Sequence, residues 1–175
     1  MNMKNYDTFI IGHISLDEII YKGEMCKTYG GAVLASSYSA AAGEVKTGIF
    51  TKVLKNDVEI INIFNIPKED IYYDYTERNT SIRNEYLSDD KERRICTALS
   101  IADQFKINEL PEVNSKIYHL AGLIVGDYEE EMIKYLSRKG KVAVDVQGFL
   151  RHAANGEMIF KDWKNKRDYL PYIDF

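Results

Sequence analysis

A carboxylate and a glycine pair are the groups in this sequence best placed to do chemistry. Asp17 closes the run Phe9-Ile10-Ile11-Gly12-His13-Ile14-Ser15-Leu16-Asp17, where an apolar strand gives way to a turn. Gly30 and Gly31 follow, opening a stretch of small residues, 32–43, that reads as a tightly packed helix. A carboxylate at a strand end can accept hydrogen bonds from two adjacent hydroxyls, each charge-assisted bond being worth about 1.5–3 kcal/mol. Bare backbone amides at a helix N-terminus add donors beside it. Together they suit a polyol. The plainer alternative makes Asp17 a cap or turn residue and Gly30-Gly31 a tight turn, because glycine serves both close approach and positive φ.

A second constellation is Val144-Asp145-Val146-Gln147-Gly148-Phe149-Leu150-Arg151, another strand end followed at once by polar groups. Asp145 and Arg151 either pair with each other and tie a loop, or line the same cleft. His13, His119 and His152 lack metal-ligand spacing, and His119 reads as a satisfied histidine in an apolar strand. Cys26 and Cys96 form no Cys-x-x-Cys pair and read as small core hydrophobes in a reducing cytoplasm. No motif supports a serine or cysteine nucleophile. Gly12 is followed by His13-Ile14-Ser15 without further glycines, so there is no dinucleotide fingerprint, and no Gly-x-x-x-x-Gly-Lys-Ser/Thr loop occurs.

The elements that must position these groups follow an α/β rhythm. Residues 6–11 are a continuous apolar run, as in a strand buried on both faces. Residues 46–53 form a second strand, reached through the small-residue helix, which makes a right-handed parallel crossover. Asn56-Asp57 reads as a helix cap before Val58 and Ile60. Between 71 and 102 the pattern changes to short β-prone runs split by polar turns such as Ser88-Asp89-Asp90, suited to antiparallel ribbons with one wet face. The rhythm resumes with a strand at 116–123. Asp127 and Glu130 have capping-box spacing, Glu129 to Glu131 suit the first turn of that helix, and residues 141–146 are the next strand. Met158-Ile159-Phe160 reads as an edge strand, and Tyr172-Ile173-Asp174-Phe175 as the start of another buried one.

Composition narrows the partners. The 175 residues suit one domain, 45% apolar and 29% charged. A net charge of −4 and a pI near 5.5 argue against nucleic acid or an anionic membrane as partner. No apolar run approaches the ~20 residues of a membrane span, and no signal core is visible, so a cytoplasmic location is expected.

Taken in order, five pieces resemble the N-terminal part of the PfkB family of carbohydrate kinases, the ribokinase-like group. They are Gly12-His13-Ile14-Ser15-Leu16-Asp17, Tyr29-Gly30-Gly31-Ala32 with its helix, the β-prone runs of 80–98, His119-Leu120-Ala121-Gly122, and Asp145 to Arg151. The resemblance implies an α/β fold over 1–175 that is an incomplete ribokinase-like domain. Its parallel sheet would be flanked by helices, with an inserted antiparallel β-flap lid over about 18–29 and 71–102. It implies that Asp17 binds the hydroxyls of a sugar or nucleoside, that Gly30 and Gly31 pack against it, and that the lid excludes water and is shared in a homodimer. It implies ATP and Mg2+ in a phosphoryl transfer driven by positioning and electrostatics. Two departures stand out. Where family members commonly carry a substrate-touching asparagine, this chain has Ala35. The Gly-Ala-Gly-Asp segment that supplies the catalytic base and an anion-binding helix N-terminus is absent, and in the family it lies beyond residue 175. The expectation is a substrate-binding front portion, inactive alone; the alternative is a non-catalytic binding or interaction module.

Overall fold

The computed structural model describes residues 3–154 and 156–175. In chain order its strands begin with β1 (Lys4–Ile11), β2 (Ser15–Tyr21), β3 (Glu24–Gly30), β4 (Thr47–Val53) and β5 (Ile71–Tyr75). They continue with β6 (Ser81–Tyr86), β7 (Arg94–Ser100), β8 (Val113–Leu120), β9 (Lys141–Val144), β10 (Arg151–Ala154) and β11 (Glu157–Phe160). The α-helices are α1 (Ala32–Ala42), α2 (Glu131–Ser137), α3 (Gln147–Leu150) and α4 (Lys166–Tyr169).

Five strands make a wholly parallel sheet in the order β5-β4-β1-β8-β9. Successive residues of a strand face opposite sides, so a strand covered on both faces is apolar throughout. β1 shows this directly. Phe9 and Ile11 enter one core with Phe50, Tyr118 and Leu120, while Ile10 enters another with Val33, Ile49 and Ala121. α2 closes the first face with Met132, Ile133 and Leu136, and α1 contributes Val33 to the second. Among the described residues no helix is long and apolar enough to cross a membrane.

The other six strands form a second sheet, the lid, in the order β10-β11-β7-β6-β2-β3. It is antiparallel except between β2 and β6, which run parallel. Three separate hairpins build it. On one face Glu18 joins the first two, accepting from Arg83 Nε and Nη2 at 2.9 and 2.7 Å and lying 3.4 Å from Lys27 Nζ. β1 runs into β2 through only Gly12, His13 and Ile14, so the two sheets share a covalent hinge.

Several expectations are corrected. The lid does not begin at residue 71: Ile71–Tyr75 pairs parallel with β4, Ile49 opposite Ile71. Its one wet face, with Tyr73 and Tyr75 exposed, is that of an edge strand of the main sheet. β11 is an interior lid strand, because β10 folds back outside it. Cys26 is exposed and Cys96 half-buried; both belong to lid strands and neither to a core. The segment after Asp57 is a 3-10 helix, Val58–Ile63, without a side-chain cap. Asp127 caps no helix: its Oδ2 accepts the N–H groups of Leu123 at 2.7 Å and Ile124 at 3.1 Å, bracing the turn after β8. Of the acidic run, Glu131 lies in the first turn of α2 as expected, and each member also has a partner of its own. Glu129 accepts from Ile107 N–H, Glu130 from Trp163 Nε1 and Asn165, and Glu131 from Tyr169.

Candidate functional site

The site forms where the lid meets the C-terminal ends of the parallel strands, the usual ligand position of open α/β sheets. β1 ends at Ile11, and the next residues lift the chain into β2, carrying Ser15 and Asp17 over the sheet. Ser15 pairs with Gly30 and Asp17 with Thr28 across the first hairpin, which brings the glycine pair alongside. A Cβ on Gly30 would lie 2.9 Å from Asp17 Oδ2, so any side chain there would collide with the carboxylate. Gly31 holds φ +103°, and a Cβ on it would lie 2.5 Å from His13 O, so glycine is required on both counts. Gly31 also begins α1, its carbonyl accepting from Leu34 and Ala35, and supplies no side-chain cap.

A cleft of about 250 Å3 lies here, and Asp17, Gly31, Ala35 and Arg151 line it together. Gly30 adjoins it behind Asp17. Asp145 does not line it: its Oδ2 is 3.3 Å from His119 Nε2, the pair sitting at the ends of the neighbouring strands β9 and β8. Arg151 reaches the cleft because α3 packs closely on the end of β8. A Cβ on Gly148 would lie 2.8 Å from Gly122 Cα, and Gln147 Nε2 donates to Gly122 O at 3.2 Å.

The lining also includes Ser15, Asn84, Arg94 and Gln147, none of which stands out in the sequence as a site residue. Asn84 and Arg94 gather by register. β2 lies parallel beside β6, β6 pairs with β7, and Asn84 is opposite Cys96, two residues from Arg94 on the same face. Gln147 lies within the Asp145 to Arg151 segment, and its neighbour Arg151 was the available signal.

Among the described residues, Asp17 Oδ1, Ser15 Oγ and Arg151 Nε are buried at this site without a hydrogen-bond partner. Burial raises the Asp17 pKa above the usual 3.8. The nearby Ser15 hydroxyl, the Ile82 N–H and the charges of Arg151 and Arg94 oppose that rise without cancelling it. The carboxylate is thus incompletely solvated and incompletely satisfied, the condition in which hydroxyl donors bind it most strongly. Larger open hollows exist, one of about 540 Å3 beside Leu54, Asn56, Thr76 and Asp103. There the Asp103 carboxylate is already engaged by Thr76 and the Glu77 N–H.

His13 is a different case. It is 1% exposed, stacks on Phe105 at 4.3 Å, and neither ring nitrogen has a partner among the described residues. Burial, aided by nearby Lys52, lowers its pKa to about 3, so at neutral pH it is an uncharged packing group. Among the described residues no group of three or more His, Cys, Asp or Glu could hold a metal ion.

No protein-family model and no curated protein matches the chain by sequence. Solved structures do. A pyrophosphate-dependent kinase in the ribokinase family, in a sulfate complex, aligns at TM-score 0.84 and 30% identity over 95% of this chain and 60% of its own. Such a kinase complexed with a pyrophosphate analog and myo-inositol aligns at 0.84 and 29%, over 95% of this chain and 59% of its own. A nucleoside kinase from Methanocaldococcus jannaschii, an archaeal member of the ribokinase family, shares the fold at TM-score 0.55 and 18% identity over 83% of this chain and 54% of its own. The chain thus spans about three fifths of the length of the structures that it matches at 29–30% identity.

Proposed function

On the premise that this chain has the ribokinase-family fold, we propose that it is the acceptor-binding portion of a kinase that phosphorylates a hydroxyl of a polyol, sugar or nucleoside. The carrying observation is the buried, unpartnered Asp17 Oδ1 beside the unpartnered Ser15 Oγ, facing a cleft walled by glycine and alanine. Such a carboxylate orients two neighbouring hydroxyls while the small wall lets a ring approach closely. The likeness to the myo-inositol complex favours a cyclic polyol over a nucleoside.

Asp17 and Ser15 hold and orient the acceptor; Ile82 and Leu123 line the same cleft and exclude water from one side of it. Fixing the hydroxyl in this way lowers the entropic part of the barrier. The family resemblance implies ATP with Mg2+ as donor, and the pyrophosphate-dependent kinases at 29–30% identity favour pyrophosphate as the second reading. The base that deprotonates the hydroxyl is expected outside these residues, so the chain alone should not turn over. A second copy is the expected cover for the lid, on which Met25, Leu87, Ile95 and Leu99 are exposed.

Calorimetry of the full chain against myo-inositol, simple sugars and nucleosides tests the reading. One polyol or sugar should bind, and Asp17→Asn should weaken it roughly 10–100-fold, the loss of one charge-assisted bond. An unchanged affinity in the variant would remove Asp17 from the site. Phosphoryl transfer by the chain alone, to any acceptor, would overturn the placement of the base.

A further inference from the structure

A second hollow, of about 500 Å3, adjoins the Asp17 cleft at the glycine pair. Gly31 and Ala35 line both. They stand one helical turn apart at the start of α1, so the ridge between the two hollows is a glycine and a single methyl group. The lid joins them as well: Thr28, which lines the second hollow, pairs with Asp17 across β2 and β3.

The two hollows differ in chemistry. The Asp17 cleft carries carboxylate, guanidinium and amide groups, whereas among the described residues no charged side chain lines the second. Tyr29, Leu34, Tyr38 and Ile63 form most of its wall. Leu34 and Ile63 also pack against the core beneath α1, which makes that side of the hollow rigid. The Tyr38 hydroxyl donates to Ile63 O at 2.8 Å, so its ring is held in place although it is 50% exposed; Tyr29 is 44% exposed. In a chain that is 29% charged, an uncharged hollow with two open tyrosines suits apolar and above all aromatic surface. A ring already fixed by a hydrogen bond loses little freedom when another packs on it. Size points to what fills it. The acceptor cleft alone, about 250 Å3, falls short of the ~300–1,000 Å3 usual for small-molecule sites, and the two hollows joined over Ala35 fall within that range. A ligand that spans them has hydroxyls at one end and an uncharged ring at the other.

We propose that the hollow at Tyr29 and Tyr38 is a subsite for an aromatic substituent of the acceptor, whose polyol ring lies at Asp17 and whose substituent crosses Gly31 and Ala35 to the tyrosines. This deepens the acceptor reading and rests on it for the polyol end. Ala35 is then a specificity-determining residue, because a longer side chain raises the ridge that the ligand crosses. The aromatic ring has two sources to separate: an O-linked aryl group or an N-linked base.

The test is calorimetric titration of the full chain with three pairs: myo-inositol and its monophenyl ether, glucose and phenyl β-glucoside, ribose and adenosine. At least one ring-bearing ligand should bind roughly tenfold or more tighter than its parent, and the parent should compete with it. Tyr38→Ala and Leu34→Ser should bring that ratio towards one, while Tyr38→Phe, which keeps the ring, retains most of it. Ala35→Leu should lower the ratio as well. A Tyr38-dependent gain with the phenyl ligands assigns the subsite to an O-linked aryl group; the same gain with adenosine alone assigns it to an N-linked base. Ratios near one for every pair overturn the subsite. So does a gain untouched by Tyr38→Ala and Leu34→Ser in proteins with a wild-type thermal transition. Cyclohexyl β-glucoside binding as tightly as the phenyl compound would overturn its aromatic character. A parent polyol weakened by Asp17→Asn, with no gain from any ring, would remove this inference and leave the acceptor reading standing. Ring-bearing ligands that depend on Tyr38 and are indifferent to Asp17→Asn would remove the acceptor reading instead.

Discussion

Replacing Asp127 by asparagine isolates the energetic consequence of a buried carboxylate. Asp127 is 1% exposed; its Oδ2 accepts two backbone N–H groups, and its Oδ1 is buried with no partner. Burial outweighs those two bonds and lifts its pKa from 3.8 to about 6. The folded protein therefore holds this proton to higher pH than the unfolded chain does. Stability from this group is full below about pH 3.8 and is lost as pH rises towards 6, about 3 kcal/mol in all at 1.36 kcal/mol per pKa unit. Roughly 1–2 kcal/mol of that loss falls between about pH 5 and 7.5. His13 acts in the opposite sense, its lowered pKa removing stability as pH falls below 6.5, so the wild-type profile alone mixes the two. The difference between Asp127→Asn and wild type cancels His13 and any fixed effect of the new amide. Urea unfolding of both proteins at several pH values should show the variant gaining on wild type by roughly 1–2 kcal/mol from about pH 5 to 7.5. A difference that stays flat, or moves against the variant, would show that the two N–H bonds keep Asp127 ionised and that the burial argument is wrong.

Other outcomes follow from the same structure. On the proposed role of Asp17, polyol affinity should decline on acidification with a midpoint above 3.8, the direction in which burial moves that carboxyl, and calorimetry across pH reads it directly. Gly31→Ala should destabilise by roughly 2 kcal/mol or more in urea unfolding, given the positive φ and the His13 carbonyl at 2.5 Å; a neutral result would contradict the turn geometry on which the cleft depends. Tyr128→Phe should lose about 0.5–1.5 kcal/mol in urea unfolding, because the Tyr128 hydroxyl donates to Ile11 O at 2.8 Å while that carbonyl keeps the Ala121 N–H. If the lid is covered by a second copy, sedimentation should show a dimer that Ile95→Glu dissociates.

The parallel sheet was legible because its strands are apolar on both faces, and the runs around Phe9, Phe50 and Tyr118 say so without tertiary information. Asp17 and the glycine pair stood out because a strand end and a helix start are local events. Arg94 and Asn84 were hidden by the opposite circumstance. They reach the cleft only through the pairing of β2 with β6 and of β6 with β7, and the parallel β2–β6 register joins segments that are distant in sequence. Asp127 misled for a related reason. Its spacing to Glu130 fits a cap, but the chain turns back after β8 and presents the Leu123 and Ile124 amides first. Ile71–Tyr75 shows that an edge strand of a parallel sheet and a ribbon strand share one pattern, so only the partner distinguishes them.

Asp17 belongs to β2, a lid strand, whereas Ala35 across the cleft belongs to α1, which packs on the main sheet. The cleft is therefore a seam between two layers joined at Gly12 to Ile14. A ligand gripped by Asp17 travels with the lid, and one that also rests on α1 fastens the layers together. On the proposed reading of Asp17, occupancy and closure form a single equilibrium, and the expected outcome is slower amide exchange along β2 and β3 when ligand is added. Leverage at the hinge is correspondingly tight: a Cβ on Gly12 would meet the Ala121 carbonyl at 2.7 Å, and one methyl group there would shift the resting angle of the whole lid.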